Sequence, residues 1–394
     1  MGALGCEGRE NYKNMPIASP ESPVCTDLPP GIKEPFQLPE VKGWTDLDVS
    51  FLPEELQPGS ARSLDVVDPY IELETRQIID RIINEEQLFS DECLEASRSG
   101  SWVRSPGLAY PVEGEADRLT SGHAPVMQRF FSDKSPTFLD WATKSVPSAF
   151  ALAAISNPIT GQPVIDKEGN RIGELDPDTA RWFRVATDGV AIRTRAAALG
   201  LLVNEALRSD RTLSEGKWMS VACGTAIPTL QVARLAGIKP ELTLVDGDMS
   251  VMNATTDIAD ALGIGNGFNK ITGNVFDRDF MESLGGDAKI IDLMGIFEYI
   301  GPQLESLGIE TKANEFMKWN YDLLVEGGRM VLGQMLTNRP RADFTLGTIG
   351  WPFIVTRHLE EIMRTAVEAG IDPKNTHVTI PNPGVYAVVA IDKV

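Results

Sequence analysis

The sequence predicts an α/β fold built on a mostly parallel sheet with an antiparallel edge hairpin, preceded by a mainly helical N-terminal region. Three observations lead there. After Gly216, short apolar runs alternate with segments of helical period, the pattern of strand–helix–strand units. The runs are nearly continuous rather than alternating, as strands covered on both faces are. The chain then finishes with a helix and two apolar runs joined through Pro381-Asn382-Pro383-Gly384, which suits a hairpin. With 394 residues and 42% hydrophobic side chains the chain can bury a substantial core.

Residues 1–65 carry prolines at 16, 20, 23, 29, 30, 35, 39, 53 and 58 and little apolar periodicity, so they read as an extended arm. Trp44, Phe51 and Leu52 are its candidate anchors. Such an arm can wrap a neighbouring copy, so a homodimer is expected. Residues 66–215 form an accessory, lid-like region. There, Asp68-Pro69 opens an amphipathic helix with Ile71, Ile78, Ile79, Ile82 and Ile83 at helical spacing, running to about Ser97. A second helical region spans about Thr137 to Ser156, and two short strands flank the turn Lys167-Glu168-Gly169-Asn170. Asp176-Pro177-Asp178 caps one long helix that places Trp182, Val185, Gly189, Ile192, Ala196, Leu199, Val203 and Leu207 on a single face. Residues 216–394 then supply the sheet: WMSVA, LTLVD, KIIDLMGIF, RMVLGQML, HVTI and VYAVVAI, with helices at about Ile227–Ala236, Val251–Leu262, Phe316–Val325 and His358–Ala369 between the strands.

Thirty-six basic against 56 acidic side chains leave a net charge of −20, which repels a phosphate backbone and argues against nucleic acid as a substrate. No apolar run approaches the ~20 residues of a membrane span. The first ten residues lack a basic and an apolar signal region, and a cytoplasmic protein is expected. Cysteines 6, 25, 93 and 223 and three histidines show no metal-ligand spacing, so no metal is expected.

The segment Ser220–Ala226, SVACGTA, lies between the first strand of this region and its helix, where small residues let backbone approach a ligand. Read alone it is also compatible with a packing turn. About twenty residues on, Asp246 ends the second strand, where a carboxylate can accept hydrogen bonds from both hydroxyls of a ribose; a solvated turn residue is the plainer reading. The GxGxG at Gly263–Gly267 follows a helix rather than a strand and reads as a helix stop.

In this order of motifs the last 180 or so residues resemble the class I S-adenosylmethionine-dependent methyltransferases. The resemblance runs through SVACGTA, Asp246, GNVFD at Gly273–Asp277, DLMGIFEYI at Asp292–Ile300 and EGGRMVLGQM at Glu326–Met335. It departs where the family usually has an acidic residue and two further glycines, here Ser220, Ala222 and Ala226. The resemblance implies a Rossmann-like sheet and S-adenosylmethionine as cofactor. The backbone of Ala222, Cys223, Gly224, Thr225 and Ala226 would lie against the methionine, Asp246 would hold the ribose, and Gly247 and Met249 would flank it. Asn274 would meet the adenine amino group with Val275 or Phe276 against the ring, and Met294 and Gly295 would close the cofactor site.

Glu298 and Tyr299 directly follow the fourth apolar run and are the candidate substrate-side catalytic residues; a plain helix cap is the rival reading of Glu298. Arg193 is the third candidate, a clamp for a carboxylate of substrate or methionine. Cys223 reads as a small buried residue rather than a nucleophile. The implied activity is methyl transfer to a small-molecule acceptor. Two alternatives stay open: a cyclase or 3-amino-3-carboxypropyl-type transferase releasing methylthioadenosine, which the altered first motif motivates, and a non-catalytic cofactor-binding regulator.

Overall fold

The computed structural model describes residues 38–99, 124–235, 241–261, 267–301, 304, 308–351 and 354–394. Its centre is a nine-stranded sheet. In chain order the strands are β1 (Glu40–Asp46), β2 (Ser60–Val67), β5 (Lys217–Val221), β6 (Glu241–Asp246), β7 (Phe268–Thr272), β8 (Ala288–Leu293), β9 (Leu324–Met335), β10 (Thr376–Pro381) and β11 (Tyr386–Asp392). A separate hairpin pairs β3 (Pro163–Ile165) with β4 (Arg171–Glu174), the two short strands expected around Gly169.

The sheet order is β1-β2-β10-β11-β9-β8-β5-β6-β7. Strands β7, β6, β5, β8 and β9 are parallel, and β11 enters antiparallel beside β9, with Val389 opposite Leu332. The predicted mostly parallel sheet with its antiparallel hairpin is therefore present. Beyond it, the sheet continues into the arm: β2 lies parallel to β10, with His377 opposite Ser60, and β1 pairs antiparallel with β2. Residues 40–67 are thus sheet strands rather than a wrapping arm, because they satisfy the otherwise unpaired backbone edge of β10. Leu52 is buried as an anchor should be, whereas Trp44 and Phe51 are exposed. The first 37 residues of the predicted arm and the bulk of Gly263–Gly267 lie outside the described residues.

Helix α1 runs Arg76–Arg98 and starts behind Thr75, not at Asp68-Pro69. Helices α2 (Ala124–Phe131), α3 (Pro136–Asp140, continued as a wide turn to Ser145) and α4 (Ala149–Ser156) follow. The single long helix expected after Asp176 is two, α5 (Pro177–Val185) and α6 (Thr187–Ser209). Ala186 is extended at φ −51°, ψ 137°, which frees the Thr187 N–H; both carboxylate oxygens of Glu86 accept it at 3.0 and 3.1 Å, and the Thr187 hydroxyl donates at 2.6 Å. A carboxylate from α1 thereby caps the N-terminus of α6.

Helix α6 packs on β1, β2, β9, β10 and β11 and on α7 (Ile227–Leu235), so it belongs to the α/β unit. The expected boundary at residue 215 falls inside that unit. Together with α8 (Met249–Ala261) these helices bury Trp218, Leu244, Ile290, Val331 and Val388 on one face of the sheet. On the other face α9 (Arg278–Ser283), α10 (Ala313–Asp322) and α11 (Leu359–Glu368) cover Met219, Val245, Ile291, Leu332 and Val389. A third cluster, rich in aromatic rings, joins α1 to α6 with Met335, Phe344, Trp351 and Tyr386.

Candidate active site

The parallel strands β5, β6, β7 and β8 all end on one rim, and the reversal of strand order between β5 and β8 opens a crevice there. The loop after β5 has an unusual backbone. Ala222, Gly224 and Ala226 all have positive φ, at 50°, 53° and 52°. These are the three small-residue positions of SVACGTA, and the turn is tied to its neighbours: the Cys223 N–H donates to the Val245 carbonyl at 3.2 Å and the Ala226 N–H to the Cys223 carbonyl at 2.8 Å. Two of the three hold that conformation with a Cβ, at a cost that glycine would not bear.

The Asp246 carboxylate binds this loop directly. Its Oδ2 accepts the Gly224 N–H at 2.8 Å and its Oδ1 accepts the Asp248 N–H at 2.9 Å. Burial raises its pKa, and the two N–H donors oppose that shift. The β6 and β7 loops meet through the Gly273 N–H, which donates to the Asp246 carbonyl at 3.1 Å. A Cβ on Gly247 would stand 3.5 Å from the Gly273 carbonyl, so the approach of these loops leaves ordinary contact space. Met249 is exposed beside the rim, its Sδ 3.7 Å from the Thr272 hydroxyl.

Other cofactor candidates divide. The Asn274 side-chain oxygen accepts the Phe276 N–H at 3.1 Å, so it closes its own turn; Phe276 is half-buried against Phe316. Val275, in the turn after β7, is buried in the core cluster against which Phe276 also packs. Ala226 and Thr225 are buried, and Met294 is buried behind Gly333. Cys223 packs on Met252 with its thiol pKa raised well above the usual by burial, which fits the inert reading. Ser220, in place of the family's acid, donates to Asp292 at 2.8 Å; Trp218 Nε1 and Thr229 bind the same carboxylate at 2.8 and 3.1 Å. Sealed between β5 and β8, Asp292 is pushed up to about 6 by burial and is structural.

Beyond the loop lies a half-open cavity with about 670 Å³ of atom-free space, the open solvent at its mouth included. Helix α4 links the two. A Cβ on Gly224 would stand 3.0 Å from that of Ala149, and one and two turns on, Leu152 and Ile155 line the cavity. Its walls are largely aromatic, with Trp141, Trp182, Phe183, Phe344 and Trp351 prominent. The polar end holds Glu298, Tyr299, Arg195 and Tyr386. Arg195 Nη1 stands 3.1 Å from Glu298 Oε1, and its guanidinium lies 4.4 Å from the Tyr386 ring centroid. Burial raises the Glu298 pKa while Arg195 opposes it. The Tyr299 hydroxyl accepts from Trp351 Nε1 at 2.9 Å, and burial raises both tyrosine pKa values. Glu86 and Asp188 also line the cavity.

Glu298 and Tyr299 therefore do face the cavity, but Arg193 does not. Its Nε donates to Asp68 at 2.7 Å, its Nη1 to the Ile155 and Phe183 carbonyls at 2.8 and 3.0 Å, and its Nη2 to the Arg184 carbonyl at 2.7 Å. It is a structural cation, and Arg195 is the cavity arginine. Two residues turn a helix by about 200°, so the sequence reading chose the wrong side of α6. The aromatic wall was also missed; the one signal for it was the clustering of Trp and Phe in the helical half.

No family model matches the chain, and no curated protein matches it. Among solved structures it is similar to a possible exported protein from Bordetella parapertussis, at 15% identity and TM-score 0.50, over 83% of this chain and 99% of that one. It is also similar to an O-methyltransferase family protein from Burkholderia thailandensis, at 18% identity and TM-score 0.36 over 53% of this chain, which spans 60% of that protein. A third is the magnesium protoporphyrin IX methyltransferase of Synechocystis with bound S-adenosylmethionine, at 14% identity and TM-score 0.38, over 53% of this chain and 85% of that one. These are likenesses of fold. Five parallel strands with the antiparallel β11 beside the fifth form the Rossmann-like sheet that the sequence predicts.

Proposed function

We propose that the chain is an S-adenosylmethionine-dependent transferase that moves the sulfonium methyl to a small molecule held in the aromatic cavity. The observation that carries this reading is the left-handed loop Ala222–Ala226 bound to the Asp246 carboxylate on the crevice rim, one helix turn from that cavity. What supports the cofactor is a loop of small residues, ordinary contact space at Gly247, and a carboxylate at the end of the second strand of the parallel unit, where a ribose hydroxyl would find an acceptor. In this reading Ala222–Ala226 hold the methionine, Asp246 the ribose, Gly247 and Met249 its flank, Asn274 and Phe276 the adenine, and Gly295 the passage to the cavity. When bound, the cofactor supplies an activated methyl. The chain's part is to align an acceptor in line with it and to exclude water.

A cavity so lined takes an apolar, ring-bearing small molecule, and the net charge of −20 disfavours nucleic acid. No helix among the described residues is long and apolar enough to cross a membrane. A cytoplasmic homodimer completes the reading; a monomer mass by light scattering would remove the dimer. Calorimetric titration with S-adenosylmethionine followed by nucleoside analysis tests the function. Saturable binding, with S-adenosylhomocysteine as the only nucleoside product once an acceptor is supplied, is the expected result. Methylthioadenosine as the product would replace methyl transfer with another cleavage, and no binding by the folded protein would end the reading.

A further inference from the structure

At the end of the sheet opposite the crevice rim, three strands bring together a serine, a histidine and an aspartate that the methyl transfer proposed above does not use. Ser60 opens β2, His377 lies second on β10, and Asp392 closes β11. The Ser60 hydroxyl oxygen is 2.9 Å from His377 Nδ1, and His377 Nε2 is 3.0 Å from Asp392 Oδ2. The sheet register joins residues that the sequence separates by 317 and 15 positions. Ser60 stands opposite His377 in the parallel ladder, and His377 stands opposite Ala390, two residues before Asp392 and on the same face. Gly59 fixes the approach of β2. Its N–H donates to the Pro373 and Thr376 carbonyls at 3.0 and 2.9 Å, and a Cβ there would stand 2.1 Å from the Lys374 carbonyl oxygen.

The charges set the direction of these hydrogen bonds. Arg329 holds both oxygens of Asp392, donating from Nε to Oδ1 at 2.6 Å and from Nη2 to Oδ2 at 2.8 Å. Burial raises the Asp392 pKa, but the bonds from His377 and Arg329 outweigh it and bring it down to about 2, so the group stays a carboxylate. A carboxylate has no proton to give. In neutral His377 the ring proton therefore sits on Nε2, and Nδ1 is left as a lone pair. The Ser60 hydroxyl must then be the donor, aimed at a base. Ser60 is exposed, and so is about a third of the His377 side chain, which leaves the hydroxyl open to a reagent.

We propose that Ser60 is a second reactive site of this chain, a nucleophile that accepts an acyl group from an activated ester, with His377 as its general base. Asp392 is the positioning residue that holds the imidazole in the required tautomer. The bond between the Ser60 oxygen and the acyl carbon forms, and the ester's carbon–oxygen bond breaks with its electron pair going to the leaving oxygen. The hydroxyl proton passes to His377 Nδ1. A phenolate leaves without needing that proton, so a phenyl ester of a short acid is the reagent that reports this step most directly.

The test incubates the full chain with p-nitrophenyl acetate, without cofactor, and follows acetylation of each serine by peptide mass spectrometry. Ser283 is the internal control: it is exposed as well, but its hydroxyl donates to the Phe280 carbonyl at 2.6 Å instead of to a base. Ser60 should be acetylated at least about a hundredfold faster than Ser283, the lower end of what a positioned base contributes. His377→Gln should remove that advantage and leave the Ser283 rate unchanged. Nitrogen-15 NMR of the imidazoles, three in the whole chain, reads the tautomer directly. The proton should sit on His377 Nε2 in wild type, and Asp392→Asn should abolish that preference. The two wild-type measurements need no variant to fold. Equal acetylation of Ser60 and Ser283, a Ser60 rate that His377→Gln leaves unchanged, a wild-type proton on Nδ1, or a tautomer indifferent to Asp392→Asn overturns the proposal.

Discussion

Replacing Ala222 or Ala226 with glycine tests the loop that defines the site, and the two positions should answer differently. A left-handed backbone costs an alanine about 1–2 kcal/mol that glycine does not bear. Against this, glycine loosens the unfolded chain and returns about 0.4–1 kcal/mol. For Ala222, φ 50° and half-buried, little else changes, so Ala222→Gly should stabilise by about 0.5–1 kcal/mol. Ala226 is 1% exposed and packs among Ile227, Leu230 and Leu244. Removing its methyl forfeits about 0.8 kcal/mol of burial, which brings Ala226→Gly to about zero or slightly below. Urea unfolding of both variants beside wild type, with unchanged slope, reads the difference. Destabilisation by Ala222→Gly, or equal gains at both positions, would refute the claim that these residues are held left-handed against their preference.

Three further outcomes follow from the same geometry. Asp246→Ala should weaken S-adenosylmethionine binding by about 1–3 kcal/mol, read by calorimetry, and unchanged affinity in folded protein would take Asp246 out of the site. Burial raises Glu86 from its ordinary 4.5 to about 7, with its bonds to Thr187 opposing, so the folded state keeps a proton that the unfolded chain releases over that window. Stability should therefore fall by about 3 kcal/mol as pH rises from below 4.5 to above 7, and Glu86→Gln should lose that slope in urea titrations; an unaltered slope would contradict the assignment. Arg193→Met should cost about 3–5 kcal/mol by stranding the buried Asp68 carboxylate together with the Ile155, Phe183 and Arg184 carbonyls, and adding Asp68→Leu should recover only the carboxylate's part. Full recovery in the double variant would show that the three carbonyls do not depend on Arg193.

Legibility in the sequence followed the range of the forces involved. The strands from Trp218 to Ile391 other than β7 were readable because burial on both faces leaves continuous apolar runs, which β7 (FNKIT), at the sheet edge, lacks; the loop and Asp246 were readable because a strand end followed by small residues is a local pattern. The break at Ala186 was not, since alanine favours helix and the group that stabilises the break, Glu86, lies 101 residues upstream. The strands at 40–67 were hidden by prolines and by a partner edge far along the chain. Of the cavity, Glu298 and Tyr299 were found by their place after a strand, whereas Arg195 depends on which side of α6 faces the rings, a matter settled only by packing.

That distant edge sets a timetable for synthesis. Ser60 and His377, opposed in the finished sheet, are 317 residues apart. At ribosomal speeds of about 5–20 residues per second, the first strands wait about 15–60 seconds for their partner. Through that interval a stretch made to extend a sheet, with Trp44 and Phe51 exposed even in the finished molecule, is presented to other nascent chains. Pro39 directly precedes β1, and Pro53 and Pro58 lie between β1 and β2, so residues that cannot donate a ladder hydrogen bond flank the waiting strands and limit how far a wrong pairing can extend.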